Sequence, residues 1–264
     1  MAEWFERFFE GLYGRVLTGT FDAARTLQQA HTVRTLLRLR KRQQALDIPC
    51  GIGRLTLPLA RAGMEMTGVD LTAAFLRRAH REARRRGLHV RLVQRDMRDI
   101  DFNGEFDAAF NWSGSFGYFS DMDNLAFCRK VLQALKPGGR FLVEGMNRSW
   151  LLTHFRRRIV TDSRNGVRID QRHNRYDPKT CRVESLWVMS RGSCVERHRI
   201  KMWIFNGMSI RALLRAAGFE EIRLFGYPPA GPLTRHSRRI IAVARRPAEA
   251  GAAKRVAGAG PATT

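Results

Sequence analysis

Ten residues, Ala45-Leu46-Asp47-Ile48-Pro49-Cys50-Gly51-Ile52-Gly53-Arg54, constrain this chain more than any other stretch. An apolar run meets a single carboxylate, breaks into a glycine turn and continues into helical spacing. That pattern predicts a strand, a loop and a helix N-terminus, a geometry that brings backbone close to a ligand. Gly51 and Gly53 carry no Cβ, so one permits φ > 0 in the turn and both let main-chain N–H groups approach a bound group. The helix is expected over Arg54 to Ala62, with Leu55, Leu59 and Ala62 on one face, Pro58 close to the first turn and Gly63 as C-cap.

A dinucleotide fingerprint would need a third glycine at position 56, where the chain has Thr56. The residues that follow narrow the ligand. Met64 to Val69 reads as a second strand ending on Asp70, with Thr72 as N-cap of the next helix. A carboxylate at that strand end accepts two hydrogen bonds from a ribose diol. The ligand implied is of adenosine type, without yet naming a reaction.

Further along, Leu88 to Val93 gives a third strand, and Asp96 just past it is placed to accept from an exocyclic amine. Phe106 to Phe110 is a fourth strand. It feeds the loop Asn111 to Phe119, beyond the carboxyl edge where ligands of open α/β sheets bind. A helix carrying Leu125, Cys128, Val131, Leu132 and Leu135 is expected to stop at Lys136-Pro137-Gly138-Gly139, and Arg140 to Glu144 to form the fifth strand. Alternating β and α units predict a doubly wound, mostly parallel sheet.

After Asn147 the pattern changes. Val167 to Arg175, Cys181 to Met189 and Cys194 to Phe205 read as three strands joined by turns too short for crossovers, hence an inserted antiparallel ribbon. Helical spacing returns from Ile210 to Ala217 behind Asn206 as N-cap, and two last strands follow at Phe219 to Phe225 and Arg239 to Ala244. The expected organisation is an N-terminal helical cap over 1–42 and a main domain over 43–246, in which 149–205 is a substrate-side insertion. An Ala/Gly/Pro-rich tail over 247–264 is expected to be disordered.

The chain's formal net charge is +23. Its positive residues are spread along the sequence rather than gathered in one block. On the second helix Phe75, Leu76, Ala79 and Ala83 face inward, leaving Arg77, Arg81 and Arg85 as a solvated face. Nucleic acid is therefore a conceivable partner but not the favoured one. No apolar run approaches the ~18–20 residues of a membrane helix, and the N-terminus does not read as a signal peptide. Cys50, Cys128, Cys181 and Cys194 show no metal-ligand spacing, so no metal is expected and a cytoplasmic location is.

Taken together, Leu46 to Arg54, Thr67 to Leu71, Asp96-Met97, Phe106-Asp107 and Leu135 to Phe141 resemble the class I S-adenosylmethionine-dependent methyltransferases, which have a Rossmann-like fold. The likeness covers roughly residues 44 to 146, and Ala216-Ala217-Gly218-Phe219 with the final strand pair fits it too. The D-x-P-C-G-x-G-R turn and the G-S-F-G-Y-F loop look most like the small-molecule branch. The family's more usual turn carries outer glycines where this chain has Pro49 and Arg54.

The resemblance implies S-adenosyl-L-methionine as cofactor. It places Asp47, Gly51 and Gly53 at the methionine and ribose end, Asp70 with Leu71 at the ribose hydroxyls, Asp96 and Met97 at the adenine, and Asn111 against the cofactor. The loop to Tyr118 would face the acceptor, with the inserted ribbon as lid. Such a reaction asks mainly for alignment and exclusion of water, and for a base only where the acceptor starts protonated. Tyr118 and Tyr13 are the catalytic candidates, whereas His173 reads as a surface residue and Asp162, Asp170 and Glu144 are no better placed. The leading expectation is methylation of a small-molecule amine or hydroxyl. The alternatives are an RNA methyltransferase, or a cofactor-binding protein on the same fold without methyl transfer.

Overall fold

The computed structural model describes residues 4–20, 22–228 and 230–248. Three helices lead: α1 (Trp4–Phe8), α2 (Leu12–Thr20) and α3 (Ala23–Leu37). The β-α alternation then runs β1 (Gln44–Asp47), α4 (Thr56–Arg61), β2 (Glu65–Asp70), α5 (Ala73–Arg85), β3 (Val90–Gln94), β4 (Phe106–Asn111), α6 (Asp121–Ala134) and β5 (Leu135–Met146). Next come α7 (Arg148–Thr153) and the strands β6 (Ile159–Asp162), β7 (Arg168–Asp177), β8 (Arg182–Arg191) and β9 (Cys194–Trp203). The chain ends its described part with α8 (Gly207–Ala216), β10 (Glu220–Tyr227), the short β11 (Gly231–Pro232) and β12 (Arg239–Arg245).

Eight strands form one sheet in the order β11-β10-β12-β5-β4-β1-β2-β3. From β5 to β3 the pairs are parallel, and β12, β10 and β11 add on antiparallel. The order reverses between β1 and β4, so the connections that leave their carboxyl ends run to opposite faces of the sheet and leave a crevice between them. One core cluster joins Leu46, Val69, Phe106 and Phe141 to α6 and α8, and another joins Ala45, Phe110 and Leu142 to Val33 and Leu37 of α3. Both faces of the sheet are thus covered, as parallel strands require.

The N-terminal helices divide their work. Whereas α3 packs on the main sheet, α1 and α2 lie against the second, antiparallel sheet, where Phe8, Leu12 and Val16 meet Val167, Met189 and Ile200. That second sheet has the order β6-β7-β8-β9 and so contains one strand more than the sequence pattern predicts. The extra strand, β6, is four residues long and half-exposed or exposed throughout, so it lacks the alternation that would reveal it.

Two boundaries also differ. The helix after the glycine turn begins at Thr56 rather than Arg54. The Lys136-Pro137-Gly138-Gly139 segment does not separate a helix from a strand: β5 starts at Leu135 and runs through it as a bulge, with Gly138 at φ +76°. The expectation for 247–264 lies, beyond residue 248, outside the described residues.

Candidate functional site

The crevice at the strand-order reversal is floored by the ends of β1, β2 and β4. Past β1 the chain turns sharply: Cys50 N–H donates to Val69 O at 2.9 Å, and Gly51 N–H to Asp70 Oδ2 at 2.7 Å. Asp70 also accepts from Thr72 N–H at 2.8 Å, so its buried carboxylate ties the glycine turn to the start of α5. Burial pushes its pKa up, against the two backbone donors that pull it down.

Asp47 is buried at the end of β1 and accepts from Thr56 Oγ1 at 2.7 Å. Loss of solvent pushes its pKa up to about 7, with the Thr56 hydroxyl and the Arg54 guanidinium opposing. Arg54 itself is pushed down to about 10, chiefly by burial. It reaches Gln29 of α3 and, at 3.3 Å, the hydroxyl of Ser113.

A cavity of about 140 Å³ opens over these groups. Seven of the ten residues singled out from the sequence line it: Asp47, Gly51, Asp70, Leu71, Asp96, Met97 and Tyr118. Gly51 has φ +56°, and a Cβ there would meet nothing within 4 Å, so it would stand in open space at the cavity wall. The wall therefore offers a cradle for a ligand that a side chain would fill. Asp96 is partly engaged already, held by the Arg98 guanidinium at 2.7 Å and by the Arg98 N–H at 2.8 Å.

Three sequence candidates fall elsewhere. Gly53 faces α5, where a Cβ would come within 3.1 Å of Ala79 Cβ, so its lack of a side chain serves packing of the turn. Asn111 is fully buried outside the cavity lining. Its Nδ2 donates to Ile48 O at 2.9 Å and its Oδ1 has no partner, so it pins the end of β4 to the end of β1. Tyr13 lines a second cavity, stacked on Phe8 at 4.4 Å between centroids.

This second cavity, about 650 Å³, lies between the main sheet and the antiparallel one, and Ser113 and Tyr118 line both. Trp4 and Phe5 of α1 hold the Tyr118 ring at 5.0 and 6.0 Å. Burial pushes the phenols of Tyr118 and Tyr13 up, so both remain protonated donors near neutral pH.

Several residues of the site escaped the sequence reading. Thr56 and Arg54 carried a local signal, since both stand within ten residues of Asp47. Glu144, weighed from the sequence only as a base, and Arg239 carried no signal for their pairing: they form an ion pair across β5 and β12 with the Glu144 carboxylate buried, and Glu144 accepts from Ser113 N–H at 2.9 Å, fixing the loop between the cavities. His173 is exposed at a bulge of β7, as the sequence suggests.

A family model described as a methyltransferase domain matches residues 45–139. The YqeM protein of Bacillus subtilis is 32% identical over 108 residues, 40% of this chain and 43% of that protein. The chain thus spans under half the length of that relative. The cypemycin N-terminal methyltransferase of a Streptomyces species is 26% identical over 214 residues, covering 76% of this chain and 82% of that enzyme. Among solved structures, an S-adenosylmethionine-dependent methyltransferase from Clostridium acetobutylicum superposes with a TM-score of 0.72 at 18% identity, covering 92% of this chain and 98% of that one.

Proposed function

Because the chain belongs to the class I S-adenosylmethionine-dependent methyltransferase family, we propose that it transfers a methyl group to an amine or hydroxyl of a small molecule in the cytoplasm. The observation that carries this reading is the pair of adjoining cavities that share Ser113 and Tyr118. A donor site and an acceptor site that meet at one loop are what an in-line transfer needs.

S-adenosylmethionine supplies a sulfonium methyl that a nucleophile displaces directly. In this reading Asp70 and Leu71 hold the ribose, Asp96 and Met97 the adenine, and Asp47 with the Gly51 turn the methionine end. The aromatic wall from α1 and the antiparallel sheet excludes water and holds the acceptor, a contribution worth up to ~7–11 kcal/mol where alignment is tight. Tyr118, protonated and at the junction, orients the acceptor by donating or accepting one hydrogen bond. A concave cavity walled by indole, phenyl and aliphatic side chains favours a small molecule over RNA, which would need an extended basic groove. The cypemycin enzyme, an N-terminal methyltransferase by name, supports nitrogen as an acceptor atom.

The test is incubation with methyl-labelled S-adenosylmethionine and separate pools of small metabolites and RNA. Label in a small-molecule fraction is expected. Label confined to RNA, or no transfer from a cofactor that binds, overturns the reading.

A further inference from the structure

The second cavity is uneven in charge. Indole rings of Trp4, Trp150, Trp187 and Trp203 supply much of its apolar wall. Its basic lining residues are His154, Arg156, Arg238 and Arg239, and among the described residues no aspartate or glutamate lines it. Arg239 is committed to Glu144. Asp170 of β7 is taken by Arg158 and Arg172, each at 2.7 Å. Arg156 and Arg238 are exposed and, among the described residues, neither has a carboxylate within ion-pair distance.

Trp150 gathers this rim. His154 stacks on its ring at 4.3 Å between centroids with the planes 10° apart, and the Arg238 guanidinium lies 5.4 Å over the same ring. Guanidinium groups at the lip of an apolar cavity, with no counter-charge of their own, favour an oxyanion and repel an ammonium.

Resting on the methyl-transfer reading above, we propose that the acceptor is an organic anion. Its aromatic or extended apolar body fills the second cavity, and its carboxylate or phosphate sits at the rim formed by His154, Arg156 and Arg238. The methyl-accepting atom then lies at the Ser113–Tyr118 junction, and the anion serves as a handle that sets the acceptor's orientation.

Calorimetric titration of the full chain, saturated with S-adenosylhomocysteine near neutral pH, tests this with four probes on one ring: naphthoate, naphthyl phosphate, neutral naphthamide and cationic naphthylmethylamine. The two anions are expected to bind about tenfold or more tightly than the amide and the amine, as charge-assisted bonds would give. The stronger of the two anions identifies the oxyanion that the rim prefers. Combining Arg156→Gln with Arg238→Gln should remove that advantage and leave affinity for the amide and for S-adenosylhomocysteine in place. Equal affinities across the four probes, failure of both anions to bind, or an undiminished preference in the double variant overturns the proposal. Failure of the unsubstituted chain to bind S-adenosylhomocysteine would instead overturn the methyl-transfer reading, and the same probes without it would still judge the rim.

Discussion

The backbone N–H of Gly51 donates to Asp70 Oδ2 at 2.7 Å, closing the turn after β1 onto the end of β2. One buried carboxylate thus holds the turn that shapes the cavity and forms part of the cavity wall. Asp70→Ala would strand the N–H groups of Gly51 and Thr72 as well as remove the proposed ribose contact. It should lower unfolding free energy by ~1.5–3 kcal/mol and weaken S-adenosylhomocysteine binding at least tenfold. Urea unfolding and calorimetry measure the two effects separately. Unchanged ligand affinity in a destabilised protein would leave Asp70 with only the structural role.

The two glycines of the turn, paired in the sequence pattern, should separate on substitution. Gly51→Ala puts a Cβ into open cavity space at φ +56°, so it should cost ~1–2 kcal/mol of backbone strain and reduce ligand affinity sharply. Gly53→Ala at φ +74° carries similar strain and drives a Cβ toward Ala79 and Leu57, so stability should fall further while affinity changes less. Thermal unfolding with and without S-adenosylhomocysteine distinguishes them. The reverse ranking of affinity would mean that Gly53, not Gly51, borders the ligand.

What the sequence made legible here is what lies close in the chain. The strand-turn-helix at Asp47 to Arg54 and the acid at Asp70 are set by apolar runs, glycines and strand ends within 25 residues. The pairing of Glu144 with Arg239 joins residues 95 apart on neighbouring strands, and no local pattern announces it. The cage of Trp4, Phe5 and Phe9 around Tyr118 likewise forms only once the N-terminal segment packs against the loop after β4. Asn111 shows the same limit. A polar residue at a strand end reads as ligand-facing, and only the structure shows that its Nδ2 is engaged by Ile48 O while its Oδ1 has no partner.

Asp47 should give the free protein a pH-dependent stability. Its pKa is raised to about 7 in the folded chain and lies near the ordinary aspartate value when unfolded, so the folded state binds the proton more tightly. The stabilisation is full below about pH 4 and is lost as pH rises through about 7, a change of up to ~4 kcal/mol. On the proposed placement of the methionine end, ligand binding should run the other way: an ammonium beside Asp47 would favour the ionised form, so affinity for S-adenosylhomocysteine should rise about tenfold per pH unit below 7 and then level off. Asp47→Asn should flatten both profiles. Profiles as steep in Asp47→Asn as in the parent would assign the titration to another group.

The two tyrosines, alike in the sequence reading, should part in kinetics. Tyr118 stands at the junction of both cavities, whereas Tyr13 borders only the second and stacks on Phe8. Both phenols are pushed up by burial, so neither works as a base near neutral pH, and any contribution comes through a hydrogen bond from or to the neutral hydroxyl. Tyr→Phe keeps the ring and removes that hydroxyl alone. Tyr118→Phe should lower kcat ~10–100-fold with S-adenosylhomocysteine affinity unchanged, and Tyr13→Phe should change kcat by less than about threefold. Equal and small effects in both variants would leave Tyr118 as a packing aromatic held by Trp4 and Phe5. A large loss in Tyr13→Phe would instead place the reacting atom deeper in the second cavity than the Ser113–Tyr118 junction.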